Sequence, residues 1–380
     1  MAKRDRKKQQ KHRLELRKNA QTRSRQSDLT QRFRQDGSVD DASPHGERIS
    51  GKGRLSRKRT VVGEQVGDET TGFSVLPEID KSECLPGRVL NVRGLTSTVR
   101  TDDGRTYECA TRRLLKTLSI DQRHVVAAGD RVWFLPDGAE GRIERVEPRR
   151  GILSRTSRSR QHIIVTNVDQ VLVVMSAVEP DLKPHLIDRF LITAARSGIT
   201  PLIVITKVDL LDHAPLQPTL SVFSQMGYDL LLVSATTGFN VDRVRRRLRD
   251  RESVVAGQSG VGKSSLLNAI EPGLRLRTNE VSLETQKGKH TTTTAELLPL
   301  SDGGYVVDTP GIRQFQLWDV IPEEVAGYFR DLRPYVNLCR FPDCTHMHET
   351  DCAVKDAIAD GRLDARRYES YCHLFEGDLV

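Results

Sequence analysis

One nine-residue segment has the residue types and spacing needed to hold a chain of phosphates. Its glycines let the backbone wrap around an anion, and the loop amides and the following helix start supply positive potential. Lys263 can reach the outer phosphates, and the Ser264 hydroxyl suits Mg²⁺. The segment consists of Gly257, Gln258, Ser259, Gly260, Val261, Gly262, Lys263, Ser264 and Ser265. It lies between an apolar run and a helical pattern, so it predicts nucleotide binding.

A second group of residues has the chemistry to select guanine. The Asp209 carboxylate can accept hydrogen bonds from the N1 and 2-amino groups of guanine, which adenine does not present. Lys207 can pack its stem along the base, and the Ser234-Ala235 backbone can contact the exocyclic oxygen. The predicted guanine contacts are Thr206, Lys207, Val208, Asp209, Ser234 and Ala235.

Two further segments suit the γ-phosphate and its metal ion. Asp308 is expected to hold the Mg²⁺ shell through water, and the Gly311 amide to contact the γ-phosphate. In the segment 288 to 292, Thr292 is predicted to complete the magnesium site, with Thr291 as the alternative. His290 lies beside them, and it is either a catalytic group or only a structural residue of a mobile loop.

The order of these segments along the chain is informative. They resemble the five guanine-nucleotide motifs of small GTPases, but the two guanine-contacting motifs come before the phosphate loop, as in a circularly permuted GTPase. Thr206 stands where asparagine is usual, which predicts the loss of an amide able to tie the motifs together. Ile312 stands where Ras-like enzymes place a water-orienting glutamine. An aliphatic side chain cannot orient water, so hydrolysis must be slow alone or use another group such as His290.

The elements that position these segments follow from the apolar pattern. Between residues 165 and 317, near-continuous apolar runs alternate with amphipathic segments, which predicts a parallel sheet covered by helices. Each nucleotide segment follows one of these runs, and ligands of open α/β sheets bind beyond the carboxyl ends of the strands. The predicted strands are 171–175, 202–205, 230–233, 253–256 and 305–307.

The residues before this domain divide into a basic tail and a small barrel. Residues 1 to 60 hold 19 Lys and Arg against 7 Asp and Glu, a local charge of +12, whereas the whole chain carries +8. Few large apolar residues occur there, so we expect a disordered tail that contacts RNA or, alternatively, only aids solubility. Short alternating segments from 84 to 147 predict a five-stranded OB-type β-barrel. It binds RNA through a basic face or serves only as a spacer. The candidates for that face are Arg88, Arg93, Arg100, Arg112, Arg113 and Lys116.

Four residues near the end of the chain have the spacing of metal ligands. Cys339, Cys344, His346 and Cys352 form a C-x4-C-x-H-x5-C array in a segment with little apolar content. Three thiolates and an imidazole suit a closed tetrahedral Zn²⁺ site that substitutes for a hydrophobic core. His348 is a competing ligand, and the alternative to a metal site is a set of unligated cysteines.

These features together resemble the RsgA family of ribosome small subunit-dependent GTPases over residues 84 to 370. The resemblance rests on the barrel, the permuted order, the segments 288–292 and 308–311, and the spacing of the zinc ligands. It implies hydrolysis of GTP to GDP with Mg²⁺, one Zn²⁺ per chain, stimulation by the small (30S) ribosomal subunit late in its maturation, and contact with 16S rRNA. The long basic tail and Arg113-Leu114, where the family has Arg-Gly, are departures from the family pattern.

The fold expected is multidomain α/β. It comprises a basic, disordered tail (1–80), an OB-type barrel (84–150), a circularly permuted P-loop GTPase domain (151–317) and a zinc-binding domain (318–380). No run approaches the 18 apolar residues that span a membrane, and the start lacks the apolar stretch of a secretory signal. We therefore expect a soluble cytoplasmic protein, and separately we expect it to be a monomer. The alternatives are a GTP-binding RNA scaffold without useful hydrolysis and a permuted GTPase of the large subunit.

Overall fold

The computed structural model describes residues 11–15, 58–65, 75–112, 115, 125–157, 160–212, 214–276, 295–308 and 322–377. Two compact units contain them. One unit comprises residues 1–88, 99–125 and 131–148, and the other comprises residues 89–98, 126–130 and 149–380.

Three short strands lie in the region expected to be a disordered tail. Strands β1 (Lys11–Glu15), β2 (Lys58–Gln65) and β3 (Val75–Pro77) form an antiparallel sheet in the order β1-β2-β3. The structure differs from the expectation at these segments. The centre of β2 reads Thr-Val-Val, three β-branched residues that favour an extended backbone.

Five strands form the predicted barrel. They are β4 (Leu85–Arg93), β5 (Thr96–Arg100), β6 (Thr106–Thr111), β7 (Arg131–Asp137) and β8 (Glu140–Val146). Their order is β4-β5-β6-β8-β7, and a parallel pairing of β6 with β8 closes the barrel. The interior is filled by Val89, Val99, Cys109, Phe134 and Ile143, all fully buried.

A six-stranded, mostly parallel sheet follows a hairpin of β9 (Leu153–Ser157) and β10 (Arg160–Val165). The sheet contains β11 (Gln170–Ser176), β12 (Thr200–Thr206), β13 (Asp229–Leu232), β14 (Glu252–Ala256), β15 (Glu296–Pro299) and β16 (Tyr305–Asp308). The order is β13-β12-β11-β14-β16-β15, with β15 antiparallel. The connecting helices are α1 (Pro184–Arg196), α2 (Gln217–Gln225), α3 (Val241–Leu248) and α4 (Lys263–Ile270). The predicted strands and α/β architecture are confirmed.

The two faces of this sheet bury separate cores. On central strand β11, Val171, Val173 and Met175 point to the face covered by α1 and α2. Leu172 and Val174 point to the other face, which α3 and α4 cover. Alternate side chains of a strand point to opposite faces, so burial on both sides explains why the run contains no charge.

Residues 322–377, the described part of the chain end, contain four α-helices: α5 (Val325–Tyr328), α6 (Arg333–Val336), α7 (Ala353–Ala359) and α8 (Ala365–Glu376). They share a core that includes Phe329, Leu332 and Tyr371, and Ile192 of α1 packs into it. This helical module therefore lies in the same compact unit as the sheet. No helix among the described residues is long and apolar enough to cross a membrane.

A buried ionic cluster fixes the helical module to the sheet. Arg367 of α8 makes two hydrogen bonds of 2.9 Å to Asp331 and also contacts Asp188 of α1. Burial raises the pKa of Asp188 to about 6, against the pull of Arg367. Burial also opposes the charge on Arg367, but its two carboxylate partners raise its pKa above the usual value. The direct contacts favour a charged cluster, which is costly to break because one partner would remain buried and unpaired.

Candidate nucleotide and metal sites

The phosphate loop connects β14 to α4, at the carboxyl edge of the sheet. Gly257 follows the strand with φ of 148°, and Gly262 precedes the helix with φ of 85°. A Cβ on Gly257 would lie 2.1 Å from the carbonyl oxygen of Val174, so no other residue fits there. The backbone can turn sharply here only with glycine, and the turn directs the first amides of α4 into the loop.

Lys263 lies across this loop. Its Nζ donates to the carbonyl oxygens of Gly257 and Gln258, at 2.8 and 2.6 Å. These contacts hold the ammonium over the loop, where it would meet an outer phosphate. Ser264 is half-buried in the first turn of α4, whereas Ser259 and Ser265 are exposed. Of the remaining predicted loop residues, Gly260 has a left-handed backbone and Val261 is fully buried.

Thr206 connects the guanine segment to the phosphate loop. The residue is buried at the end of β12, and its hydroxyl hydrogen-bonds to the carbonyl oxygens of Val261 at 2.5 Å and Met175 at 3.1 Å. Threonine lacks the amide that asparagine would offer for tying these motifs together, as the sequence indicated. Its hydroxyl nevertheless reaches the phosphate loop, 55 residues further along the chain.

Removing the Thr206 hydroxyl should therefore weaken nucleotide binding. Thr206→Val keeps the side-chain shape but leaves the Val261 carbonyl without its donor, so we expect GTP affinity to fall about tenfold. Titration with a fluorescent GTP analogue measures the change. Thr206→Ser retains the hydroxyl and should stay within about threefold of the natural protein. Equal affinities of the two variants would contradict this role.

The predicted guanine-contacting segments follow strands β12 and β13. Lys207 has a left-handed backbone, with φ of 56°, and its Nζ donates to the carbonyl of Glu179. Val208 is buried, whereas the Asp209 carboxylate is exposed at the sheet edge and available to a base. Ser234 lies after β13, where its Oγ accepts a hydrogen bond of 3.0 Å from the Thr237 amide.

Both guanine segments therefore lie at the edge that carries the phosphate loop. Ala235 is half-buried next to Ser234. Strand β16 ends at Asp308 and runs parallel to β14, so its carboxyl end is also at this edge. Gly311, Ile312, His290, Thr291 and Thr292 lie outside the described residues.

The predicted metal ligands come together in the helical module. The ligand atoms of Cys339, Cys344, His346 and Cys352 all lie within 4.8 Å of one another. The Cys339 and Cys352 sulfurs are 3.9 Å apart, and the His346 Nδ1 lies 3.4 and 3.5 Å from them. A tetrahedral zinc ion requires about 3.8 Å between sulfurs and about 3.5 Å between sulfur and nitrogen. The group therefore fits Zn²⁺, whereas the competing His348 is exposed.

Three side chains that the sequence did not single out shape the ligand loop. The Glu349 carboxylate accepts hydrogen bonds from the hydroxyl and amide of Thr345, at 2.6 and 2.7 Å, and from two further amides. The Thr345 hydroxyl bond is the main reason that the pKa of Glu349 is lowered to about 2. Tyr368 and Tyr371 of α8 donate to the carbonyls of His346 and Thr345, at 2.7 and 2.5 Å. The two tyrosines are three residues apart and so lie on one face of α8, and this spacing is the sequence feature that could have indicated their role.

Two of the basic residues of the barrel form ion pairs with acidic side chains. Arg112 forms a 2.9 Å ion pair with Glu144, and both side chains are mostly buried. Arg93 makes a longer pair, 3.9 Å, with Glu296. Arg113 and Lys116 lie outside the described residues. Arg112 is therefore a poor candidate for RNA contact.

The sheet, the phosphate loop and the order of the motifs define a class, the circularly permuted P-loop GTPases. The profile of the RsgA GTPase family matches residues 146–318. The small ribosomal subunit biogenesis GTPase RsgA of Chlorobaculum parvum is 39% identical over 308 residues, which cover 78% of this chain and 98% of that protein. The protein of the same description from Thermotoga petrophila is 41% identical over 254 residues, 66% of this chain and 83% of the relative. The chain belongs to the RsgA GTPase family.

Solved structures agree with this assignment. The crystal structure of YjeQ from Thermotoga maritima has a TM-score of 0.65 and 36% sequence identity, covering 77% of this chain and 98% of that one. YloQ, described as a circularly permuted GTPase, has a TM-score of 0.62 and 29% identity, covering 79% and 97% of the two chains.

Proposed function

We propose that this protein hydrolyses GTP in the maturation of the small (30S) ribosomal subunit. The observation that carries the proposal is the hydrogen bond from the Thr206 hydroxyl to Val261 of the phosphate loop. This bond joins a guanine-selecting segment to a phosphate-binding segment at one edge of the sheet. The match to this chain covers 98% of the length of a relative that is named for small-subunit biogenesis. A scaffold without useful hydrolysis is not favoured.

The reaction transfers the γ-phosphoryl group of GTP to water and yields GDP and phosphate. Loop amides and Lys263 stabilise negative charge that develops on the phosphate oxygens. Asp209 fixes the guanine, with Ser234 and Ala235 beside it, so the phosphates enter the loop in one register. Asp308 and Gly311 would contact the γ-phosphate side. His290 would orient or accept a proton from the attacking water.

Two cofactors are consistent with the donor groups. Ser264 and Thr292 would hold Mg²⁺, which neutralises phosphate charge when bound. Cys339, Cys344, His346 and Cys352 would hold one structural Zn²⁺, which stabilises a loop with little core of its own.

The arrangement of domains and partners is also a proposal. We expect the barrel (84–150), the permuted GTPase domain (151–317) and the zinc module (318–380) to act together on the subunit, with the tail (1–80) as a further RNA contact. The zinc module and the barrel would contact 16S rRNA. The working state would be a cytoplasmic monomer that binds the subunit with GTP and leaves with GDP.

GTP turnover with and without isolated 30S and 50S subunits tests the function. We expect slow turnover alone and strong stimulation by 30S only.

In the same assay, His290→Ala should lose most of the stimulated rate, on the order of 100-fold, while GTP affinity and 30S binding stay nearly intact. Stimulation by 50S alone would refute the proposed function, whereas full stimulation of His290→Ala would refute only the role of His290.

A further inference from the structure

Helix α3 and the three residues that follow it carry a concentration of arginines that the nucleotide site does not use. Residues 241 to 251 contain six arginines and two aspartates. The apolar residues of the helix, Val241, Val244 and Leu248, are buried against the sheet and α4. The cations therefore occupy the positions that face away from the core.

Four of the six arginines have partners that explain them. Arg245 donates to the carbonyl oxygens of Ile270 and Ala269, at 3.0 and 3.3 Å, and so caps the carboxyl end of α4. Arg247 pairs with Asp229 at 3.1 Å, and Arg249 with Asp302 at 3.9 Å. Arg251 donates to the side chain of Gln170 at 3.2 Å.

The remaining two arginines differ from these four. The side chains of Arg243 and Arg246 are exposed and have no hydrogen-bond or ion-pair partner among the residues that the structure describes. Three positions apart on a helix, they project from one face with Cβ atoms about 5–6 Å apart. Two like charges so placed repel each other slightly, and a ligand with repeated negative charges would relieve that repulsion.

We propose that Arg243 and Arg246 form a docking surface for the phosphate backbone of 16S rRNA. The guanidinium group matches phosphate oxygens in paired hydrogen bonds and remains charged at all physiological pH values. The helical module packs on the side of the sheet that α1 and α2 cover, opposite to α3. There, Arg330 donates to the carbonyls of Met226 and Gly227, and Arg366 to Thr219. Helix α3 offers its cations on the other face. This inference rests on the proposed function, which supplies the RNA.

The test compares two double variants that change net charge equally. Arg243→Gln with Arg246→Gln removes two positive charges from α3. Gln217→Glu with Gln225→Glu adds two negative charges to exposed positions of α2, on the opposite sheet face. Binding of the full chain to purified 30S subunits, with a non-hydrolysable GTP analogue, is measured at several salt concentrations.

The α3 variant should bind at least about fivefold more weakly at 0.1 M salt, and its slope of log affinity against log salt should be smaller by about 1.4–1.8. The α2 variant should stay within about twofold of the natural protein at every salt concentration. Basal GTP turnover without subunits should be unchanged in both variants, because neither pair belongs to the nucleotide site. Arg243→Lys with Arg246→Lys should keep the salt slope.

Each other outcome has a distinct meaning. Natural protein that fails to bind or respond to 30S overturns the proposed function. Natural protein that binds while the α3 variant binds equally well overturns only this docking surface. Equal losses of affinity in the α3 and α2 variants would show that only net charge matters, and this result would also overturn the docking surface. Weaker binding to 30S with unchanged binding to protein-free 16S rRNA would identify a ribosomal protein as the partner and exclude RNA.

Discussion

Lys263→Ala is expected to lower GTP turnover by at least about 100-fold, both alone and with 30S subunits. The Lys263 ammonium is held over the phosphate loop by the carbonyls of Gly257 and Gln258. Alanine leaves the loop amides in place but removes the only full positive charge that this loop segment, 257 to 265, contributes. Those amides alone cannot balance the charge that develops on the transferred phosphoryl group.

The measurement is steady-state phosphate release, accompanied by titration of GTP affinity. Arg362→Ala is the matched control, because it also removes one cation, from an exposed turn of the helical module. Its basal turnover should equal that of the natural protein. Ser264→Ala should resemble Lys263→Ala, since it removes a predicted magnesium ligand. Natural turnover in Lys263→Ala would show that residues 257 to 265 are not the catalytic phosphate site.

The phosphate loop could be predicted because its chemistry is local. The close approach at Gly257, the helix start and Lys263 all lie within a few residues, so the sequence pattern determines the geometry. Strand positions were likewise predictable, because burial on both sides of β11 requires an uninterrupted apolar run.

Contacts between distant segments could not be predicted in the same way. Thr206 hydrogen-bonds to Val261, which is 55 residues further along the chain. The residues next to Thr206 do not indicate that its hydroxyl reaches this carbonyl in place of an asparagine amide. The Asp188–Arg367 contact joins residues 179 positions apart. The parallel pairing that closes the barrel, β6 with β8, is another such contact. In each case, the partner is selected by tertiary packing and not by neighbouring residues.

Cys344→Ser is expected to remove zinc from the protein and to unfold residues 339 to 352. The four predicted ligand atoms lie in a segment in which Phe341 is exposed, as is Leu338 directly before the segment. Metal ligation contributes on the order of 10 kcal/mol in small zinc domains, more than a loop of this length can recover from packing. Elemental analysis of protein purified without chelator should give about one zinc per natural chain and almost none in the variant.

The loss should remain local. Helix α8 is fixed to α1 by Arg367, Asp188 and the buried Tyr371, none of which is a ligand. Hydrogen exchange should therefore show lost protection at residues 339 to 352 and retained protection in α8. GTP affinity should also be retained, because the phosphate loop packs in the separate core beneath α3 and α4.

His348→Ala provides the matched control for the zinc site. His348 lies in the same loop, two residues from His346, but its side chain is exposed, whereas His346 is buried with its Nδ1 against two thiol sulfurs. The variant should keep one zinc and the exchange pattern of the natural protein. A full zinc complement in Cys344→Ser would remove Cys344 from the ligand set, and loss of zinc in His348→Ala would show that the exposed imidazole, not the buried one, is the fourth ligand.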